Sequence, residues 1–187
     1  MLRHLPNALC VLRMLLAIPV AVTLAAGNYR ATLILFGFAA ITDALDGYLA
    51  KRFNWTSELG KALDPLADKI LLVAAVIALA LLSHIPMWLA VAVVARDVII
   101  TAGAITYRVL YGPLTDARPT AISKINTLVQ IAYVLCVVAA LALNLDWPTW
   151  TVVLATLVIV TTVASGIDYV ATYAQLAIRK SRERQVP

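Results

Sequence analysis

The chain has 187 residues, of which 63% are hydrophobic and only 13% charged. A soluble domain of this size needs a far larger charged share to cover its surface, so that class is excluded. The formal net charge of +5 could suit nucleic acid, but the basic residues lie between apolar runs rather than along one face, and no nucleic-acid partner is expected.

A bilayer core about 30 Å thick takes about 20 residues of helix. Six apolar stretches of that order can be drawn, at about 5–26, 31–50, 62–83, 86–111, 121–144 and 148–176. Short polar breaks separate them, with no linker, low-complexity tract or clear internal repeat. The pattern predicts an all-α integral membrane protein, a single domain over residues 1–187 with six transmembrane helices.

Arg3 and Arg13 flank the start of the first stretch. Met14–Ala26 has the length and small-residue ending of a signal peptide, but Arg13 joins it to an earlier apolar segment and Pro6-Asn7 reads as a helix start. The expectation is a retained first helix. Lys51, Arg52, Lys61 and Lys69 surround the second connection, and Arg108, Arg118 and Lys124 the fourth. Arg179, Lys180, Arg182 and Arg184 form the tail, while the connections near Asn28, His84 and Asp146 hold only Arg30 between them. Alternate basic loops predict that both termini are cytoplasmic, and a basic tail also meets anionic lipid headgroups. With no Arg- and Ser-rich leader before the first helix, the expected location is a bacterial inner membrane.

Carboxylates at the end of a membrane helix are costly unless paired, solvated or bound to metal. Of the ten acidic residues, five fall between positions 43 and 68, four of them aspartates. Asp43 and Asp46 are three apart and Asp64 and Asp68 four apart, so each pair shares one helix face. The short connection at about 51–59 brings the two pairs to the cytoplasmic end of the second and third helices. Four converging carboxylates need positive charge among them. Hard divalent cations such as Mg²⁺ or Mn²⁺ suit oxygen donors, and two of them would clamp a phosphate or pyrophosphate. Gly47 and Gly60 give backbone access, and Lys51 and Arg52 bring charge for phosphate oxygens. Structural ion pairs with the neighbouring Lys and Arg are one alternative. A cation-coupled transporter is another, although transport sites lie near the midplane rather than at one face.

The spacing Asp43-x2-Asp46-Gly47-x2-Ala50-Lys51-x8-Gly60-x3-Asp64-x3-Asp68 resembles the signature of the CDP-alcohol phosphatidyltransferase family. The four Asp, both Gly and the Ala match, while Lys51 stands where the family has Arg. Lys holds a phosphate, but not bidentately. The resemblance implies the family's fold, with a pair of divalent metals, Mg²⁺ or Mn²⁺, on Asp43, Asp46, Asp64 and Asp68. It implies that Thr42, Asp43, Asp46, Gly47, Ala50, Lys51, Gly60 and Asp64 form the nucleotide and metal side. Asp68 becomes the general base that takes the proton of the acceptor hydroxyl before CMP leaves. Asn7 and Arg13 resemble a family pair near the same cavity, with Cys10 in place of a frequent Thr. A homodimer is implied as well.

Leu63-Asp64-Pro65-Leu66-Ala67-Asp68-Lys69 resembles the branch holding phosphatidylglycerophosphate synthases and CMP-forming cardiolipin synthases. Arg96-Asp97, and the segment from Pro119 to Gln130, are similar to the cardiolipin-synthase side, where the glycerophosphate-using side has a second Lys in place of Asn126. Glycerol 3-phosphate carries nearly two negative charges and wants several cations, whereas phosphatidylglycerol is a monoanionic diester. A site with Lys124 and Asn126 suits the diester; the alternatives are that Asn126 packs or caps locally, and that the acceptor-side cations Arg96 and Arg118, with Arg108, make up the missing charge. The resemblance therefore implies CDP-diacylglycerol as donor and phosphatidylglycerol as acceptor, with glycerol 3-phosphate the alternative.

Cys10 and Cys136 read as small core residues, and His4 and His84 as interfacial ones. Trp88, Trp147 and Trp150 read as interfacial anchors at the outer ends of helices, and Trp55 as one on the other side. Gly103 and the Ala-rich helix faces permit close packing. Asp168 is an intramembrane acid for which Arg13 or Arg96 is a candidate partner.

Overall fold

The computed structural model describes residues 5–53, 58–111, 120–145 and 149–185, with side chains described over 11–42, 69–103, 105–106, 120–145, 149–172 and 175. The described backbone forms six helices: α1 Leu5–Ala25, α2 Tyr29–Phe53, α3 Glu58–Leu81, α4 Met87–Tyr111, α5 Ala121–Ala142 and α6 Thr149–Gln185. Their order and number match the six apolar stretches. The chief differences are that α2 runs on through Lys51 and Arg52, and that α6 carries the basic tail to Gln185. The tail sequence Arg179-Lys-Ser-Arg-Glu-Arg-Gln185 is mostly good helix formers, which extends the helix beyond its apolar part.

By length and composition, Ala121–Ala142 and Thr149–Thr172 are long and apolar enough to cross a membrane. Shorter apolar helical segments among the described residues are Val11–Ala25, Tyr29–Thr42 and Lys69–Leu81.

Three helices end in the same way. Gly27, Ser83 and Asn144 have φ of 68°, 60° and 51°. In each case the next residue's N–H reaches back five positions: Asn28 to Thr23, His84 to Leu79 and Leu145 to Ala140, each at 2.9 Å. These bonds occupy carbonyls that a helix terminus would leave bare. Glycine takes the left-handed conformation freely, whereas Ser83 and Asn144 adopt it at a steric cost. The three turns meet at one end of the bundle. Tyr29 Oη is 2.9 Å from His84 Nε2, and Arg30 Nε donates to the carbonyl of Ala142 at 3.5 Å. Asn28 caps α2 by accepting the N–H of Ala31, and Thr120 caps α5 by accepting that of Ser123.

α1 packs against both α2 and α3, α2 against α5, α5 against α6, and α6 against α4. The fully buried apolar core gathers Val20, Leu24, Leu79, Leu89, Val134, Val137, Val138 and Val158, nearer the tight turns. The buried polar residues Arg13 and Asn126 lie nearer the opposite ends of α1 and α5, and Arg96, near the middle of α4 beside Asp97, reaches Ser123 at the start of α5. The buried charges therefore sit away from the tight turns, where the buried polar groups among the described residues are the threonines Thr32 and Thr151.

Candidate active site

Asp43 and Asp46 fall within α2, and Asp64 and Asp68 within α3, so both spacings are realised on continuous helices. The side chains of Asp43, Asp46, Ala50, Lys51, Asp64, Asp68 and Asn7, and the surroundings of Gly47 and Gly60, lie outside the described residues, as does Arg118 altogether. Thr42, just before the motif, donates its hydroxyl to the carbonyl of Ala39 at 2.9 Å. No cluster of three or more His, Cys, Asp or Glu occurs among the described residues. The motif's four aspartates, two on α2 and two on α3, are hard oxygen donors of the kind that suits Mg²⁺ or Mn²⁺.

Directly after Asp68, the described side chains begin with Lys69, and they open onto a polar cluster. Lys69 Nζ lies 3.5 Å from Asp97 Oδ1 and 3.3 Å from Thr101 Oγ1. Asp97 also receives Arg96 Nη1 at 2.6 Å. Arg96 Nη2 donates to Ser123 on α5 at 2.6 Å and to Ser165 on α6. One guanidinium thus joins three helices, and the ion pair with Lys69 draws in α3. Arg96 and Asp97 are 6% and 7% exposed, and a buried charge is tolerated when it is paired and hydrogen-bonded in this way.

α4 and α6 lie in parallel register. Arg96 meets Ser165, and the Tyr169 hydroxyl donates to the carbonyl of Ile100 at 2.6 Å, each pair 69 positions apart. Close approach at this seam depends on Gly103, where an added Cβ would stand 3.0 Å from Tyr169 Cε1.

Asn126 is fully buried between α5 and α6. Its Oδ1 accepts from Thr161 at 2.8 Å and from Thr162 at 3.0 Å, and Gln130 Nε2 donates to Thr162 at 3.4 Å. The Asn126 amide nitrogen has no partner among the described residues. Arg13 is buried, whereas Lys124 is exposed at the start of α5. Asp168 pairs with neither Arg13 nor Arg96. Its Oδ2 is buried without a hydrogen-bond partner among the described residues, and the carboxylate facing Arg96 is its chain neighbour Asp97. Sequence reasoning missed the Ser123 and Ser165 contacts, because a serine on an apolar helix carries no mark of the helix it will face. It also read His84 as interfacial only, without its Tyr29 partner.

The family model for CDP-alcohol phosphatidyltransferases matches residues 3–175. The chain is 36% identical over 161 residues to a probable CMP-forming cardiolipin synthase of Drosophila melanogaster, covering 78% of this chain and 48% of that one. It is 34% identical over 180 residues to the human CMP-forming cardiolipin synthase, covering 88% and 60%. To a probable phosphatidylglycerophosphate synthase of Mycobacterium tuberculosis it is 31% identical over 177 residues, covering 90% and 80%. The chain thus spans about half to three-fifths of the length of the two cardiolipin synthases.

Proposed function

Because the chain belongs to the CDP-alcohol phosphatidyltransferase family, we propose that it is a membrane-embedded enzyme of phospholipid synthesis, a CMP-forming cardiolipin synthase. In this reading CDP-diacylglycerol and phosphatidylglycerol give cardiolipin and CMP. The observation that carries it is the Asp43-to-Asp68 signature on two continuous helices inside the matched region.

The family is generally divalent-metal dependent, and Asp43, Asp46, Asp64 and Asp68 are the residues that would hold Mg²⁺ or Mn²⁺. Bound there, the ions would neutralise pyrophosphate charge and lower the pKa of the acceptor hydroxyl. Asp68 accepts the proton of that hydroxyl, whose oxygen bonds to the β-phosphorus while the bond to CMP breaks. Thr42, Gly47, Ala50, Lys51, Gly60 and Asn7 serve the CDP moiety. Arg13, Arg96, Arg118, Lys124 and Asn126 belong to the acceptor side, with Asn126 supporting the α5–α6 seam. The six helices cross a bacterial inner membrane with both ends in the cytoplasm, and the enzyme is a homodimer.

The diester acceptor is supported by Asn126, a neutral side chain two positions after Lys124, where a phosphate monoester of nearly two charges would call for a further cation. Similarity to the mycobacterial protein favours the second reading, a phosphatidylglycerophosphate synthase using glycerol 3-phosphate. Family membership leaves the cation-coupled transporter without support.

The test is CMP release by the purified chain in detergent with CDP-diacylglycerol and Mg²⁺ or Mn²⁺, offering phosphatidylglycerol and glycerol 3-phosphate separately. Release with phosphatidylglycerol alone, abolished by Asp68→Asn and by chelation, is the expected result. Release with glycerol 3-phosphate alone would establish the second reading instead. Mass in detergent tests the dimer.

A further inference from the structure

A groove of about 570 Å³ runs between α4 and α6 on the side away from the core. Its walls are apolar and open to the surroundings: Ile99, Val163, Ile167 and Val170 are each more than half exposed. Part of its lining is a charged residue, Arg96, only 6% exposed. A guanidinium has five N–H donors, and three go to Asp97, Ser123 and Ser165. The Nε–H has no partner among the described residues. An apolar trough that meets a buried cation with a spare donor fits an amphipathic anion. The volume lies within the range of roughly 300–1,000 Å³ usual for small-ligand sites.

We propose that this groove seats an acyl chain of a phospholipid whose monoanionic phosphodiester is drawn to Arg96; on the reading given above, that lipid is the acceptor. The position suits the role. Arg96 is bonded to Asp97, Asp97 is paired with Lys69, and Lys69 follows Asp68 in the chain. A lipid entering sideways between α4 and α6 therefore meets the polar cluster at the level of the motif, with its chain left among apolar side chains. A water-soluble acceptor has no use for such walls. Gly166 lines the trough, and a Cβ added there would meet nothing within 4 Å. A larger side chain at this position fills the groove without disturbing the fold.

The experiment is photolabelling of the full-length protein in detergent micelles with phosphatidylglycerol bearing a diazirine on one acyl chain, mapped by peptide mass spectrometry. Labels are expected on the α4 and α6 peptides holding Ile99, Ile167 and Val170. Dioleoyl phosphatidylglycerol should chase them, and dihexanoyl phosphatidylglycerol, too short to fill the trough, should not. Gly166→Leu should cut groove labelling about ten-fold, the effect of overpacking a fitted site, and the chase in the unaltered protein needs no variant to fold. Labelling spread over every helix and unmoved by the long-chain lipid would overturn the proposal. So would disulfide cross-linking of Ile167→Cys to a second copy, which would make the groove a protein interface. Groove labelling chased by long-chain lipid, alongside CMP release with glycerol 3-phosphate alone, would sustain the lipid site and sink only the acceptor reading.

Discussion

Asp97 Oδ1 stands 3.5 Å from Lys69 Nζ and takes a shorter bond from its neighbour Arg96, so one carboxylate balances two cations on two helices. Asp97→Asn would take the carboxylate away from the buried Arg96, and breaking a buried pair by removing one partner costs about 3 kcal/mol or more. Thermal unfolding in detergent should show that loss.

Asp168 is the reverse case. Its Oδ2 is buried with no hydrogen-bond partner among the described residues, so the charge is a burden on the fold. Asp168→Asn is expected to leave stability unchanged or raise it, in contrast to Asp97→Asn. A clear fall in unfolding temperature would show that the carboxylate has a partner in the native protein.

Gly103→Ala places a methyl 3.0 Å from the Tyr169 ring and 3.3 Å from its hydroxyl. That ring is held by its bond to the carbonyl of Ile100, so the helices must part. The expected cost is about 1–3 kcal/mol. Gly166→Ala on the facing helix meets nothing and should match the parent or gain up to about 1 kcal/mol of helix propensity. Equal effects at the two sites would contradict the α4–α6 register.

Burial holds the His84 imidazole below its usual value of 6.5. The folded state prefers the neutral ring, so the unfolded chain binds more protons as pH falls. The contribution of His84 is complete above 6.5 and is lost as pH drops below it towards the folded-state value. Unfolding temperatures between pH 7.5 and about 5.5 should decline with acidity. His84→Phe, which loses the Tyr29 bond but cannot charge, should flatten that slope. An unchanged slope would place the titration elsewhere.

Asn126→Leu keeps the γ-branched outline, at a larger volume, but removes the acceptor of two threonine hydroxyls. Thr161 has carbonyls of Leu157 and Val158 within reach, whereas among the described residues no alternative acceptor stands by Thr162. Hydrogen bonds between membrane helices are worth about 0.6–1.7 kcal/mol, and a loss of that size is expected, read as detergent unfolding.

Much of this architecture is legible in the amino-acid order. Apolar run lengths delimit six helices, because covering backbone polar groups in lipid demands continuous helix, and the aspartate spacing identifies the family. The partnership of α4 with α6 is not legible, since nothing local in either segment names the other. It rests on Gly103, Tyr169 and Ser165; the sequence marks Gly103 as a close-packing position, but not the helix that it meets. Asp97 illustrates the same limit. The Arg96-Asp97 dipeptide stands out, but its link to Lys69 emerges only when two helices are set side by side. Left-handed caps at Ser83 and Asn144 escape notice because neither residue is glycine.

The three left-handed caps have a practical corollary for anyone manipulating this protein. Gly27, Ser83 and Asn144 close connections that are cross-tied through Tyr29, His84, Arg30 and Ala142. Little slack is left there for a protease to grip or for a reporter sequence to be spliced in without unpicking a helix end. Epitope tags and fluorescent fusions are better placed away from that face.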